Sequence, residues 1–471
     1  MNNKGKVTVF LCLIVTVILF LGISVIKALE VYKCRQKTVM CTRIAIENVK
    51  AKYNPYIFEH YHILLFDTDR GGDGQAAFEE DIRKDIQNNL GSDFTILTLA
   101  MTDFRRLTDD GCQAFKEQIS EYTPYAVAED VGEYILDSTK DEEVYVPTEI
   151  TQDMTEEDGE LTGENTIGDE GEENAQSSDI DDPRSVSSAI GENGVLSYVM
   201  PEGLELNTIP FDVFSLPSYS HSSIFPSIDS CNYRFDDIFR LEDDLKSQEG
   251  WVEKLGEKTQ GVIYANTVFN CATNREINTN TAITCEREYL ICGSINEKSN
   301  LENVVNKIIA IRLPINFTYL VSSPTKQSLI MSKSTIIAAM VPIPEKVIRY
   351  LTAGAWAYVE SVAEVRNLLQ GKSLALGKND SNWLTDINNL SSTMFGEYKD
   401  VENGLDYEDY LTILLAMEGD DIYLRMLDLI QINTISNYGD VLIDNCGVEL
   451  WLDVGISYLD EENCFNISGG Y

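Results

Sequence analysis

The sequence predicts an α+β protein that a single N-terminal helix holds in a membrane. Three observations support this fold class. A long uncharged segment lies near the N-terminus, several later segments carry apolar residues at helical spacing, and a few short segments carry the alternating or β-branched residues typical of strands. We therefore expect an N-terminal single transmembrane helix that continues into a stalk, followed by a helix-rich α+β ectodomain.

Residues 7–26, VTVFLCLIVTVILFLGISVI, are the predicted transmembrane helix. Fifteen of these twenty residues are Val, Ile, Leu or Phe, and lysines flank them at positions 4, 6 and 27. At a rise of about 1.5 Å per residue the helix is about 30 Å long, which matches the hydrocarbon thickness of a bilayer. The run ends in SVIKALE, without the small-residue site of a cleaved signal peptide. We predict an uncleaved signal-anchor with membrane lipid around residues 7–26 and a cytoplasmic tail at residues 1–6.

The distribution of cations leaves the orientation of this anchor open. Lys4 and Lys6 precede the run, whereas five cations follow it within twenty residues: Lys27, Lys33, Arg35, Lys37 and Arg43. Counted literally, the positive-inside rule keeps the bulk of the chain in the cytoplasm. Long domains are translocated largely regardless of charge, so the bulk of the chain can also lie outside the cytoplasm.

The composition is strongly acidic. The chain carries 77 acidic and 36 basic residues, a net charge of −41, which excludes a general affinity for nucleic acid. Many acidic residues fall in residues 139–195, which include EEDGELTGENTIGDEGEENAQSSDIDDPRS and few apolar residues. We predict an acidic disordered linker there, because such a segment cannot bury enough apolar surface to fold. A calcium-binding tract is the less common alternative.

Before this linker, the pattern predicts a helical stalk and a small α+β unit. Residues 27–54 continue the anchor as a stalk, since neither Gly nor Pro interrupts residues 27–53. The α+β unit covers residues 55–138, with strands expected at 60–67 and 93–102, a helix at 73–90 and mainly helical structure at 109–136.

After the linker, residues 196–471 are predicted to form a helix-rich α+β domain. Prolines at positions 201, 210, 217 and 226 indicate an extended segment at its start. Asp406 and Asp420 precede apolar helical patterns and are candidate N-caps. Helices are expected at 235–258, 301–320 with an interruption at Pro314, 328–340 and 343–370, and strands at 285–292 and, as a terminal pair, within 441–459.

The cysteines and histidines show no metal-binding pattern. Ten cysteines include no C-x-x-C pair, and the three histidines at positions 60, 62 and 221 are too scattered for a zinc site. Cys34 and Cys41 are seven residues apart on the expected stalk helix and share one face, which permits cross-linking between neighbouring copies without requiring it. Most other cysteines are expected to be buried thiols.

Two segments come near to known binding loops. DTDRGGDG at 67–74 has three aspartates at calcium-loop spacing, but position 12 of that loop is Phe78 and the bidentate carboxylate is missing. The GKS at 371–373 lacks the earlier glycine of a phosphate loop, because Arg366 occupies its place. We therefore predict no catalytic, cofactor-binding or metal-binding residue, no cofactor and no nucleotide partner.

Paired carboxylates leave an enzymatic alternative. Glu360 and Glu364 lie one turn apart on the helix predicted at 343–370, and Glu408 and Asp409 lie on another helix. Such carboxylates can pair across helices for acid–base hydrolysis. Structural ion pairs explain residues of this kind far more often, so we expect that the chain is not an enzyme.

Seven segments of the chain, taken in order, carry a family resemblance. They are KGKVTVFLCLI, YNPYIFEHYHILLFDT, TDDGCQAFKEQISEY, VLSYVMPEG, REYLICGSINEKSNLENVVNKIIAIRLPINFTYL, AWAYVESVAEVRNLLQGKSLALGK and YEDYLTILLAMEGDDIYLRMLDLIQIN. Nearly end to end, the chain resembles a bacterial family of unknown function, DUF5702, whose members accompany Tad/Flp-type pilus genes in anaerobic Gram-positive bacteria. The layout is similar to that of the TadE/TadG-type pseudopilins.

The resemblance implies a single-pass protein of the cell membrane whose bulk lies outside the cytoplasm, with pilin-like or pilus-assembly proteins as partners. One departure concerns the start of the chain. TadE-like and prepilin starts carry a Glu about five residues after a Gly, whereas Phe10 follows Gly5 at that distance here. We expect an uncleaved, non-catalytic accessory component of a Tad/Flp-like pilus or surface-assembly system. The alternatives are a membrane-tethered extracellular hydrolase and a cytoplasmic-facing membrane scaffold.

Overall fold

The computed structural model describes residues 3–69, 74–140, 182–206, 212–221, 251–279, 281–339, 343–401, 404–458 and 461–471. Within these ranges the chain is mostly helical and contains one small antiparallel sheet, which confirms the predicted α+β class. Two hydrophobic cores organise the fold, one between the sheet and two helices, the other among the helices of the later chain.

The secondary-structure elements are numbered here in chain order. The helices are α1 (Asn3–Lys50), α2 (Pro55–Tyr61), α3 (Gln75–Leu90), α4 (Asp109–Lys140), α5 (Pro183–Asn193), α6 (Leu196–Val199), α7 (Pro217–His221), α8 (Trp251–Val268), α9 (Glu286–Cys292), α10 (Glu297–Ser322), α11 (Pro324–Ala338), α12 (Glu345–Leu369), α13 (Leu390–Thr393), α14 (Tyr407–Met417) and α15 (Asp421–Asn437). The strands are β1 (Phe66–Asp67), β2 (Phe94–Arg106), β3 (Cys446–Tyr458) and β4 (Glu461–Gly470).

β3 is the central strand of the sheet. β2 pairs antiparallel along one side of β3, and β4 pairs antiparallel along the other side. The two-residue strand β1 pairs with the start of β3. Gly447 allows this close approach, because a Cβ atom there would lie 2.8 Å from the Phe66 ring and 2.9 Å from the Phe104 ring. Residues from both ends of the chain therefore build one sheet.

The second half of α1 packs against this sheet. Cys34, Thr38, Cys41, Ala45 and Val49 are all buried, and their spacing of three or four residues places them on one face of the helix. That face contacts α3 and the sheet in the first core, which also contains Phe78 of α3 and Leu450 of β3 among its members. The predicted stalk is thus helical as far as Lys50, but from Cys34 onward it is one wall of the folded body.

The second core is built around α10 and α12. These helices lie antiparallel, because Arg312 contacts Glu364 while Asn316, further along α10, contacts Ser361. Every residue from Thr352 to Val365 of α12 is buried, so this helix is surrounded by protein. β3 joins the two cores, since Cys446 and Val448 belong to the second core while Leu450, Leu452 and Val454 belong to the first.

Several predicted helices are confirmed, with boundaries shifted by a few residues. The helices expected at 73–90, 328–340 and 343–370 correspond to α3, α11 and α12, and the strand expected at 93–102 corresponds to β2. Asp406 caps α14 as predicted, in a capping box with Asp409. Asp420 precedes α15, but its side chain makes no capping hydrogen bond. Pro314 does not interrupt α10, which runs from Glu297 to Ser322.

Residues 285–292 were expected as a strand, and this prediction is wrong. They form the helix α9, which Gly293 ends in the left-handed conformation with φ of 69°. Local alternation favours a strand here, but the helix allows Glu286, Arg287 and Glu288 to reach three different sets of buried partners. Tertiary contacts therefore override the local pattern.

Three other segments differ from prediction. Of residues 60–67, only Phe66 and Asp67 form a strand. The first part of this segment belongs to the helix α2, which Asn54 caps, which begins at Pro55 and which ends at Tyr61. The terminal strand pair is β3 with β4, whereas residues 443–445 form a short 3-10 turn. The proline-rich start of the later domain contains α6 and α7, and Pro217 occupies the first turn of α7, where its missing N–H costs nothing.

The acidic linker expected at 139–195 is helical at both described ends. α4 continues to Lys140, and α5 begins at Pro183, is capped by Asp182 and buries Ile190 against the second core. Residues 141–181 lie outside the described residues. Most of the helix expected at 235–258 also lies outside them, and the described helix α8 begins at Trp251.

Replacing Ile46 by alanine should destabilise the whole fold. Ile46 is 1% exposed and packs against Gly469 of β4. Truncation of such a side chain costs about 2–5 kcal/mol of unfolding free energy. Met40, which is 60% exposed on the other face of α1, provides the control, since Met40→Ala should change the free energy by no more than about 0.5 kcal/mol. Urea unfolding of the detergent-solubilised chain measures both, and equal effects would contradict the docking of α1.

Candidate functional site

The first half of α1 is the most distinctive surface of the described chain. Two described helices, α1 and α10, are long and apolar enough to cross a membrane. The apolar window of α10 is 56% buried, as in a core helix of a soluble body, whereas that of α1 is 0% buried. Phe20, for example, is 70% exposed. α1 is therefore the candidate membrane span.

The Thr16 side chain of this span is hydrogen-bonded within the helix. The Thr16 hydroxyl donates a hydrogen bond of 2.8 Å to the carbonyl oxygen of Cys12. Backbone groups in a helix are bonded internally, which a segment in hydrocarbon requires. Lys33 contacts the body, where its Nζ donates to the Tyr458 hydroxyl at 3.2 Å. At about 1.5 Å per residue, that contact lies about 10 Å along the helix from the end of the predicted span.

The candidate catalytic carboxylates form a buried ionic network instead of an open site. Glu360 and Glu364 on α12 are fully buried, and the Lys378 ammonium lies 2.7 Å and 2.8 Å from their Oε1 atoms. Arg312 of α10 forms a two-pronged pair with Glu364, through Nε at 2.9 Å and Nη2 at 2.5 Å. Two cations thus neutralise two carboxylates.

Neutral donors occupy the remaining positions around these carboxylates. Glu360 accepts hydrogen bonds from the Tyr398 hydroxyl and from the backbone and hydroxyl of Thr385. Glu364 also accepts one from Asn316. Burial alone would raise the pKa of Glu364, but the charges of Arg312 and Lys378 outweigh this and hold the pKa below its usual value. A carboxyl group in this state is a poor proton donor for hydrolysis.

The network fastens one long loop to the second core. Arg312 Nη1 donates to the carbonyl oxygens of Ala375 and Leu376, while Lys378 donates to the carbonyl oxygen of Asn382. These bonds hold the segment from residue 374 to residue 398 against α10 and α12. A pocket of about 450 Å³ lies beside it, but its floor contains Lys378 with four oxygen neighbours already in place. The charges of Glu360, Glu364, Arg312 and Lys378 therefore have a structural role in holding this loop.

Glu408 and Asp409 do not join that network. Asp409 belongs to the capping box at the start of α14, and Glu408 pairs with Arg287 Nη2 at 2.8 Å. The structure therefore brings Glu360 and Glu364 together with two cations, but not with the second predicted pair.

The two loops that resemble binding motifs carry no site in the described residues. Asp67 Oδ1 accepts a hydrogen bond from the Asp69 backbone, whereas residues 70–73 of that loop lie outside the described residues. In the GKS segment, the Ser373 backbone N–H, which a phosphate would need, already donates to Asp400 at 2.7 Å. Among the residues that the structure describes, no three His, Cys, Asp or Glu side chains are grouped to hold a metal.

Cys34 and Cys41 of α1 are not available for cross-linking between copies. Cys34 and Cys41 are 0% and 1% exposed because their shared face packs on the sheet. Burial raises the pKa of both thiols, which lowers their reactivity. Cys446 is likewise buried, whereas Cys464 on β4 is exposed. Cys231 lies outside the described residues.

A second buried polar cluster was not found from the sequence. Both carboxylate oxygens of Glu286 on α9 accept hydrogen bonds, from the Asn270 backbone at 2.8 Å and from Asn433 at 2.6 Å. Burial raises the pKa of Glu286 to about 8. Asp428 on α15 accepts from the Tyr289 hydroxyl and the Ser218 backbone, and burial raises its pKa to about 6. No local pattern marks these residues, because their partners are distant in sequence.

These features define an α+β protein with a candidate N-terminal membrane span and a head stabilised by buried polar networks. Residues 172–458 match DUF5702, a family of unknown function, and this match covers more than half of the chain. The chain therefore belongs to the DUF5702 family. The matched region contains the buried ionic network of Glu360 and Glu364, the buried polar cluster around Glu286 and most of the second core, and it begins after α1. Neither a curated protein nor a solved structure matches the chain.

Replacing Arg312 by methionine should destabilise the head strongly. The variant leaves a buried carboxylate network with one cation fewer, and removal of one partner from a buried pair typically costs about 3–5 kcal/mol. Arg349→Met is the matched control, because Arg349 pairs with Glu345 at a half-exposed position and its loss should cost no more than about 1 kcal/mol. Thermal and urea unfolding measure the difference. Similar losses in the two variants would contradict the structural role of the network.

Stability should fall between pH 5 and pH 8 because of Glu286. Its pKa is 4.5 in an unfolded chain and about 8 in the folded one, so the unfolded chain releases its proton at lower pH. The stabilising effect of the bound proton is complete below about pH 4.5 and is lost as the pH rises toward 8. We expect the unfolding midpoint of the parent chain to fall relative to Glu286→Gln over this range. Glu345→Gln controls for the loss of an exposed charge, and a constant difference between parent and Glu286→Gln would contradict the assignment.

Proposed function

We propose that this chain is a single-pass membrane-anchored surface protein, and that it serves as a non-catalytic accessory component of a Tad/Flp-like pilus or surface-assembly system. The observation that carries this proposal is the division of α1. Its first half is apolar and bare, whereas its second half is one wall of the head. One helix therefore connects lipid to the folded body without an intervening loop.

The division of α1 is consistent with a pseudopilin-like layout. In such a layout the membrane helix binds other membrane helices laterally, and the head follows the position of that helix. The exposed apolar side chains of α1 supply a surface of this kind within the bilayer. Thr8, Cys12, Thr16 and Gly22 reduce its bulk locally, and small residues favour close helix packing in membranes.

The state of the buried carboxylates supports a non-catalytic role. Glu360 and Glu364 are fully buried, paired with two cations and surrounded by donors. An acid–base hydrolase needs one carboxyl group that can donate a proton and one that can accept it at the substrate. The hydrolase alternative therefore has no specific observation in its favour among the described residues.

The proposed orientation places the head outside the cytoplasm. The long chain after α1 and the family resemblance support this side, whereas the cations after the span favour the opposite side. The cytoplasmic-facing scaffold is consequently the alternative that a topology measurement must separate from the proposal.

Photo-crosslinking in the native host tests the lateral association. A photoreactive residue at Phe20, which is 70% exposed on α1, should capture a pilin-like or pilus-assembly protein. The same residue at Phe214, which is 68% exposed on the head, is the matched control and should not capture that protein with equal yield. Failure to capture such a partner at Phe20, in cells that make the pilus system, would count against the proposed function.

Labelling of Cys464 decides the orientation in the same cells. A membrane-impermeant maleimide should label Cys464 before lysis, because this thiol is exposed on β4. The Cys464→Ser variant identifies the part of the signal that belongs to this site. Labelling of Cys464 only after lysis would place the head in the cytoplasm and favour the scaffold.

A further inference from the structure

A cleft of about 400 Å³ lies where α2, α4 and the β2–β3 edge of the sheet meet. It is separate from α1's membrane span and from the Glu360–Glu364 network. Aromatic side chains and carboxylates line much of its wall, together with Ala114 and Val448 of the second core. A cleft of this size accommodates a small organic group or one long side chain.

The aromatic wall of the cleft is continuous. The rings of His62 and Tyr122 stack with centroids 4.2 Å apart and an interplanar angle of 16°. Phe58 meets the His62 ring edge-on at 6.4 Å. Phe58 is 39% exposed and Tyr125 is 74% exposed, so aromatic surface remains accessible at the opening.

The backbone that presents this wall is fixed in place. His62 ends α2 in the left-handed conformation, with φ of 57°, which is uncommon for a residue other than glycine. Two residues later, the side chain of Gln118 binds both backbone groups of Leu64, at 2.8 Å and 2.9 Å. Sparsely populated conformations held by their surroundings cluster at binding sites. The cleft is thus preformed.

The charge of the cleft is negative. Glu117, Glu121 and Glu449 line it, and one cation, Arg105, lines it with them. Arg105 is already paired with Glu117 at 3.2 Å. Arg105 also lies opposite Glu449 in the pairing of β2 with β3. The lining therefore holds three carboxylates and one guanidinium group, and Glu121 lies one helical turn from Tyr125 on α4.

We propose that this cleft binds an organic cation, an ammonium or guanidinium group. Cations are attracted to the faces of aromatic rings and to carboxylates, and both surfaces converge here. The net charge of −41 raises the local concentration of cations around the whole molecule. The group can come from a free polyamine or from a lysine or arginine side chain of another protein.

Titration of the full detergent-solubilised chain, followed by ligand-observed NMR, tests this proposal. The probes are tetramethylammonium, which has no hydrogen-bond donor, and Nα-acetylarginine amide. We expect both to bind saturably at one site per chain. Tyr125→Ser should weaken both by about three- to tenfold, as loss of a cation–π contact predicts. Glu121→Gln should weaken both to a similar degree and should reduce the sensitivity of binding to salt.

Matched variants outside the cleft control for these changes. Tyr350→Ser removes a tyrosine of comparable exposure on α12, and Glu397→Gln removes an exposed carboxylate near Tyr398. Both should bind the probes as the parent chain does. Equal weakening in the cleft variants and in these controls would show diffuse attraction to an acidic surface and would overturn the proposal. Binding of a neutral sugar, with no binding of either cation, would also overturn it by indicating a carbohydrate site.

Two further probes distinguish the sources of the cation. Spermidine that binds at one site per chain, and more tightly than tetramethylammonium, indicates a free polyamine. A short arginine- and lysine-containing peptide that binds more tightly than spermidine indicates a side chain of a protein partner. Either result should be lost in the Tyr125→Ser and Glu121→Gln double variant, and retention of full affinity in that variant would contradict the site.

Discussion

The packing of one face of α1 on the sheet is the constraint on which the architecture depends. The helix must satisfy two environments along its length, because residues 6–29 are all exposed while Cys34 and the buried positions after it contact protein. The helix does not break where its environment changes. Its first half is apolar on all sides, whereas its second half has an apolar stripe on one face and polar residues on the opposite face. The sheet, α3 and the junction with the second core all follow from where this stripe docks.

Buried charge plays a second organising role. Two clusters, one around Glu364 and one around Glu286, each connect segments that are distant in the sequence. In the first cluster two cations balance the carboxylates, and their charges lower the pKa of Glu364. In the second cluster burial raises the pKa of Glu286, and the hydrogen bonds from Asn270 and Asn433 offset only part of this rise. Buried polar groups that are fully paired specify which helices meet, and a purely apolar core would distinguish less sharply between alternative packings.

Elements with strong periodicity could be predicted from the sequence, and contacts between distant segments could not. The long apolar first half of α1, the helices α3 and α12, and the capping of α14 by Asp406 follow from local spacing and composition. The strand predicted at 285–292 failed because the deciding partners of α9, such as Asn270 and Tyr407, lie outside any local window. The same limit applies to Glu360, because the sequence around a helical glutamate does not show whether its carboxylate faces Lys378 or solvent. The residues of the cleft near His62 come from four separate segments, and no spacing rule connects them.

The position of β3 at the centre of the sheet has a consequence for biosynthesis. β2 is made early, yet its partner β3 comes more than three hundred residues later, and α1 also needs β4 to cover its apolar stripe. Until the last strands leave the ribosome, the early segments expose an unpaired strand edge and an unprotected helix face. Such non-local pairing slows folding and leaves nascent chains open to aggregation. A chain of this design benefits from protection of its early segments during synthesis, and loss of β3 and β4 would leave β2 unpaired and the apolar stripe of α1 uncovered.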